Sequence, residues 1–261
     1  MSPDPWLACA LVAIAFVTLV WVLSLLLRDS SVMDACWGLG FVAIAWALAW
    51  LAPGGGASRA TLMAALVTAW GLRLSLYLAW RSRGRGEDYR YRAWRERAGG
   101  AWWWRSYFKV FLLQGAVMWV VAAPIVAAAG RAAQPALGPL DWIAAVIWGA
   151  GFAFEAVGDW QLARFRKNPA NRGRLMTGGL WRYTRHPNYF GDALVWWGLY
   201  LVAAAAGAWW TVFSPVLMTF LLVRVSGVAM LEGTLRETKP GYREYMATTS
   251  AFLPRAPRRR G

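Results

Sequence analysis

Apolar runs long enough to cross a bilayer recur along this chain, and they constrain its fold more than any motif does. Trp6 to Leu27 carries no charged residue at all. Hydrocarbon offers no water to a bare peptide group, so segments of this length must bond internally, as helices or as strands of a closed barrel. The period-two alternation of barrel strands is absent, which leaves an all-α integral membrane bundle. Composition agrees: 59% of the 261 residues are apolar, 20 are Trp, and only 16% are charged. An ordinary soluble domain carries about 25% charged residues.

Spans are expected at Trp6 to Leu27, Asp34 to Leu51, Ala60 to Trp80, Tyr107 to Ala129, Leu140 to Trp160, Tyr189 to Ala205 and Trp209 to Leu231. Breaks fall where turn residues collect, at Pro53-Gly54-Gly55-Gly56, between Gly130 and Pro139, and at Ala206-Gly207-Ala208. The first run resembles a signal peptide in position, yet it lacks a basic leader and is long enough to span, so it counts as helix one. The expected organisation is a single domain over residues 1–261.

Charge orients the bundle. Of the 28 Lys and Arg residues, 24 lie in three segments, Arg81 to Lys109, Arg164 to Arg185 and Arg224 to Arg260. Seven spans put all three on one face, and six or eight would not. The positive-inside rule makes that face cytoplasmic, with the N-terminus outside and the C-terminus in the cytoplasm. A net charge of +15 therefore reflects topology, and no nucleic acid partner is expected. Cys9 and Cys36 sit in apolar runs without metal-ligand spacing, so neither a metal nor a disulfide is expected.

Ionisable residues inside a span are costly and mark functional sites by default. Here they are Asp34, Arg73, Glu155, Asp159, Asp192, Arg224 and Glu232. The topology gathers all seven near the cytoplasmic side, beside the basic loops. The bland alternative is snorkelling at helix ends. Carboxylates among arginines suit a large anionic cofactor, because guanidinium forks bind phosphate and carboxylates accept hydrogen bonds from ribose hydroxyls. No G-x-G-x-x-G or Walker sequence occurs, so any nucleotide would sit among membrane helices. The loop RSRGRGEDYRYRAWRERAGG, from Arg81 to Gly100, interleaves basic and aromatic residues and also suits a lipid headgroup. His186, the one histidine, stands in GGLWRYTRHPNYFGD, where Asn188 can cap the helix that Tyr189 begins.

The run RHPNYFG, with PGYREYMATTSAFLPRAP downstream and the GRGEDYRY loop upstream, resembles the bacterial membrane proteins related to steroid 5-alpha-reductases. That resemblance covers most of the chain. It implies NADPH among the cytoplasmic halves of the helices and hydride transfer to the beta carbon of a lipophilic, steroid-like enone from the bilayer. Asn188, Tyr189 and Asp192 look like its nicotinamide and ribose contacts. Asp159, Arg166 and Arg174 look like adenosine and phosphate contacts, Arg83 and Arg85 resemble its basic turn, and Arg224 and Glu232 fall where the last helix lines the cofactor. Arg73, Glu155 and His186 join the same expected cofactor-binding set. Asp34 matches the acid that polarises the carbonyl, protonated by burial, and either Tyr77 or Tyr91 matches the accompanying tyrosine. A bacterial inner membrane, with no obligatory protein partner, is the expected setting.

Two other classes compete. The R-H-P-x-Y sequence also resembles isoprenylcysteine carboxyl methyltransferases and phospholipid methyltransferases, which use S-adenosylmethionine. Those usually carry paired glutamates in the last helix, whereas Glu232 is followed by Gly233. A transporter would need polar residues through to the outer side, and the outer halves of these spans are almost wholly apolar.

Overall fold

A computed structural model describes residues 4–52, 58–130, 136–225 and 227–258. The helices are α1 (Pro5–Leu27), α2 (Val32–Leu51), α3 (Ser58–Ser82), α4 (Tyr89–Ala98), α5 (Trp102–Ser106), α6 (Leu113–Val121), α7 (Ala123–Ala129), α8 (Pro139–Lys167), α9 (Pro187–Ala205), α10 (Phe213–Phe220), α11 (Val228–Thr238) and α12 (Tyr242–Thr248). Two π-helical segments, Tyr107–Leu112 and Leu221–Val225, interrupt the regular geometry. Among the described residues there is no strand, only an isolated bridge between Thr184 and Ser250.

The helical expectation and most span positions agree with this architecture. Five helical stretches are long and apolar enough to cross a membrane, or six when the stretch Tyr89–Val121 and α7, bent by 50°, count as one. The region expected as the sixth span forms the helix α9, 19 residues long, which is not among those stretches. It falls short on hydropathy because it carries Asn188, Asp192, Tyr189, Trp196, Trp197 and Tyr200. Large apolar side chains stand exposed along these helices, among them Leu19 at 70% and Leu26 at 78% on α1. Surfaces of that kind belong against lipid.

Two compact units result, Met1–Asp141 with Val202–Ser214, and Trp142–Leu201 with Pro215–Gly261. In unit 1, α2 and α3 meet backbone to backbone. A Cβ on Gly38 would stand 2.5 Å from Gly71 O, and one on Gly71 would stand 2.6 Å from Gly38 O. Glycine is the residue that permits such an approach, the usual device for packing helices in lipid. Arg59 closes the other end of α3. It forms a bidentate pair with Asp141, at 2.8 and 2.6 Å, with both side chains 2% exposed.

The bend before α7 has a local cause. Pro124 sits in the first turn of α7, and the Ile125 amide bonds Ala122 O. Val121 O is left to the Ser214 hydroxyl, which donates to it at 2.6 Å. A carbonyl freed at a proline break is thus satisfied by a neighbouring side chain.

In unit 2 the same device joins α8 to α9. Glycines seven residues apart on each helix, Gly151 and Gly158 against Gly191 and Gly198, bring the backbones together. A Cβ on Gly191 would meet Glu155 N at 2.4 Å, and one on Gly151 would meet Val195 N at 2.6 Å. Gly191→Ala is therefore expected to lower stability by about 1–3 kcal/mol, the ordinary cost of overpacking. Gly233→Ala, on an open face of α11, should move the thermal midpoint slightly upward. Melting of the two detergent-purified variants checks the opposite signs.

Candidate functional site

Each unit gathers part of the expected site. In unit 1, Asp34 lies in the first turn of α2, and α4 folds back over it. The Tyr91 hydroxyl donates to Asp34 Oδ1 at 2.6 Å, and Arg90 donates to Asp34 Oδ2 at 2.9 Å. Gln114 Nε2 reaches the Tyr91 hydroxyl at 3.5 Å. The alternatives left open by the sequence thus separate, with Tyr91 on the acid. Tyr77 instead packs against Trp80 and lies under the Arg81 guanidinium. Asp34 thus accepts from both a guanidinium and a phenol, and Tyr91 is the phenol in contact with it.

The entry to α4 is built from the loop GRGED. Gly84 and Gly86 have positive φ, which lets the chain turn sharply after α3. Asp88 caps α4 by accepting from Arg90 N. Glu87 accepts from Arg95 at 2.8 and 2.9 Å and from Ser30 N at 2.8 Å, which ties α4 to the start of α2. Burial alone would raise the Glu87 carboxyl, but the Arg95 and Ser30 hydrogen bonds and the Arg95 charge hold it below its ordinary 4.5. Arg83 and Arg85 are exposed on this turn, and Arg73 is half-buried on α3.

In unit 2 the glycine contact buries Glu155, Asp159 and Asp192, each no more than 7% exposed. Asn188, in the first turn of α9, donates from Nδ2 to Asp159 Oδ1 at 3.2 Å. Its carbonyl Oδ1 is buried with no donor among the described residues. Buried polar atoms in native proteins are usually bonded, so an orphan acceptor at this spot calls for an external donor. The chain leaving α8 supplies Arg166 and Arg174, both exposed.

His186 and Glu232 are brought together, but mainly with each other and with Arg185. Arg185 Nε donates to Glu232 Oε1 at 2.8 Å, and His186 Nε2 lies 3.2 Å from the same oxygen. Tyr189 stacks on the His186 ring, with centroids 5.5 Å apart. The C-terminal segment closes over this corner. Arg185 Nη1 donates to Met246 O at 3.1 Å and to Thr249 O, Tyr245 donates to Trp181 O, and Arg255 N donates to Tyr183 O at 2.9 Å. Burial pushes the Tyr242 phenol beside this corner up to about 12. Arg224 is exposed within the π-helical segment and has no place in the cluster. Sequence reasoning missed Arg90, Gln114 and Arg185. The signal for Arg185 was its place next to His186 in the R-H-P run.

Among the described residues no group of His, Cys, Asp and Glu is arranged to hold a metal. The chain is thus all-helical among the described residues, with helices apolar and long enough to cross a membrane, a Tyr–carboxylate pair in unit 1 and buried carboxylates in unit 2. The chain matches the family described as Protein of unknown function (DUF1295) over residues 20–249, and it belongs to that family. It is 27% identical to Uncharacterized protein C594.04c of Schizosaccharomyces pombe, across 97% of this chain and 81% of the relative. It is also 39% identical over 62 residues to Probable O-methyltransferase ustE of Ustilaginoidea virens, 24% of this chain and 21% of that protein. No solved structure matches the chain significantly.

Two outcomes follow from the charge network. Glu232→Ala leaves Arg185 and His186 buried without their anion, and is expected to cost about 3–5 kcal/mol in equilibrium unfolding. Glu87 has a depressed carboxyl, so its stabilisation is complete above the ordinary value of 4.5 and is lost as pH falls through the lowered one. The gap in thermal midpoint between wild type and Glu87→Gln should be present at neutral pH and close in acid.

Proposed function

We propose that the protein is an NADPH-dependent reductase of the carbon–carbon double bond of a lipophilic enone, steroid-like in size. The proposal includes seven spans with the N-terminus outside, and a site facing the cytoplasm of a bacterial inner membrane. The observation that carries it is the Asn188 carboxamide, fixed by Asp159 through its nitrogen and offering a buried, unused acceptor through its oxygen. A ribose hydroxyl or a nicotinamide carboxamide donates the hydrogen bond that this acceptor lacks. On that count the residues fit a dinucleotide, with Asp159, Asn188 and Asp192 on its sugar and carboxamide groups and Arg166 and Arg174 on its phosphates.

Such a cofactor supplies hydride. The chain's own contribution is polarisation and exclusion of water. Tyr91, hydrogen-bonded to Asp34, can turn its hydroxyl to a carbonyl oxygen and donate a hydrogen bond there as enolate charge develops. His186, Glu232 and Arg185 hold the R-H-P turn in place for α9.

A second reading, an S-adenosylmethionine-dependent methyltransferase, is favoured by the 62-residue likeness to Probable O-methyltransferase ustE. Melting of the purified protein with NADPH, NADH or S-adenosylmethionine separates the two. Saturating NADPH at about a hundredfold over Kd should stabilise by about 2.7 kcal/mol, several degrees in midpoint. Asn188→Ala and Arg174→Ala should lose that response. Tyr91→Phe should keep it and reduce turnover of an enone by about 10²–10³. A response to S-adenosylmethionine alone would replace this reading with the second.

A further inference from the structure

Not every cation of the α4–α5 region is committed to a carboxylate. Arg90 is paired with Asp34 and Asp88, and Arg95 with Glu87. Arg97, Arg105 and Lys109 have no carboxylate within ion-pair distance among the described residues. They line one cavity of about 480 Å³, walled by Trp94, Trp104 and Phe108. Gly99, with φ 53, makes the turn that sets α4 against α5 here.

The geometry within the cavity is ordered. Lys109 Nζ lies 4.2 Å from the centroid of the Trp94 ring, and Arg105 lies 5.4 Å from that of Trp104. These ring faces orient the cations without neutralising them. Arg105 and Lys109 are four residues apart, as are Trp104 and Phe108, so a row of charge runs beside a row of aromatic surface. Trp104 is 43% exposed and Phe108 58%. Exposed rings beside uncompensated cations, where the basic part of the Tyr89–Val121 stretch gives way to the uncharged run 110–129, have the chemistry of the lipid interface.

We propose that this cavity binds the phosphate group of an anionic phospholipid. The guanidinium and ammonium groups take the phosphate oxygens, and the glycerol and upper acyl chains lie against Trp104 and Phe108. A free phosphate would use the cations and leave the aromatic wall unused, and a zwitterionic lipid would bring its own cation into the cluster. The cavity is large enough for a headgroup. The assignment stands apart from the reductase reading.

Native mass spectrometry of the full chain, released from detergent with dioleoylphosphatidylglycerol or dioleoylphosphatidylcholine, reads lipid retention directly. Inorganic phosphate forms a third arm, read by thermal midpoint beside both lipids. Phosphatidylglycerol should be retained preferentially, and Arg105→Gln/Lys109→Gln should weaken it about thirtyfold, two cations at the usual increment for surface lysine and arginine. The charge-matched Arg243→Gln/Arg258→Gln should keep the preference. The conservative Arg105→Lys/Lys109→Arg should keep it too, which separates loss of charge from loss of fold. Equal retention of both lipids, unchanged retention in the double glutamine variant, or a response to inorganic phosphate as large as that to phosphatidylglycerol would overturn the proposal.

Discussion

Backbone contact at glycine is what the rest of this structure depends on. Lipid tails are as apolar as leucine, so helices in a bilayer gain little from burying apolar faces against one another and rely on close packing and polar contacts. In unit 1 the contact is Gly38 on Gly71, and in unit 2 it is Gly151 on Gly191, with Gly158 against Pro187 and Asn188 and Gly198 against Trp148. The unit 2 contact has a chemical result. Glu155 lies between Gly151 and Gly158 on α8, and Asp192 follows Gly191 on α9, so the near-touching backbones force carboxylates into the interface. Asn188 then reaches Asp159, the next carboxylate along α8.

Charge compensation decides which of the buried polar groups remain available. Arg59 and Asp141 clamp one end of α3, Arg185 and Glu232 lock the R-H-P turn, and Glu87 with Arg95 fastens α4. A buried pair of this kind contributes position more than net stability, since desolvation offsets much of its attraction. Groups already saturated in this way make poor ligands. Subtracting them leaves the Asn188 carbonyl as a buried acceptor without a donor among the described residues, and the functional reading rests on it and on the Tyr91–Asp34 pair.

Helix content and positions were legible because a bilayer-length apolar run has one backbone solution. Trp6 to Leu27, Asp34 to Leu51 and Ala60 to Trp80 fall within α1, α2 and α3. The start of α9 was legible from the R-H-P run and the apolar run after it, but the helix begins at Pro187, so Asn188 stands in its first turn and not at its cap. Long-range pairings were not legible. Asp34 and Tyr91 are 57 residues apart and meet only because α4 folds back, a turn set by Gly84 and Gly86 and anchored by Glu87. Nothing in the spacing of Tyr77 says that its ring packs on Trp80 instead. Nor does spacing say that Glu232 pairs with Arg185, 47 residues away. That Gly151 meets Gly191 backbone to backbone is likewise read from the structure alone.

The central claim is hydride transfer to carbon, and the most direct measurement follows the label. Purified protein incubated with an enone and NADPH deuterated at the transferable C4 position should give a product carrying one deuterium on the former beta carbon, with NADP formed in equal amount. Unlabelled product, or none with NADPH while a methyl group from S-adenosylmethionine appears on an acceptor, would contradict the account.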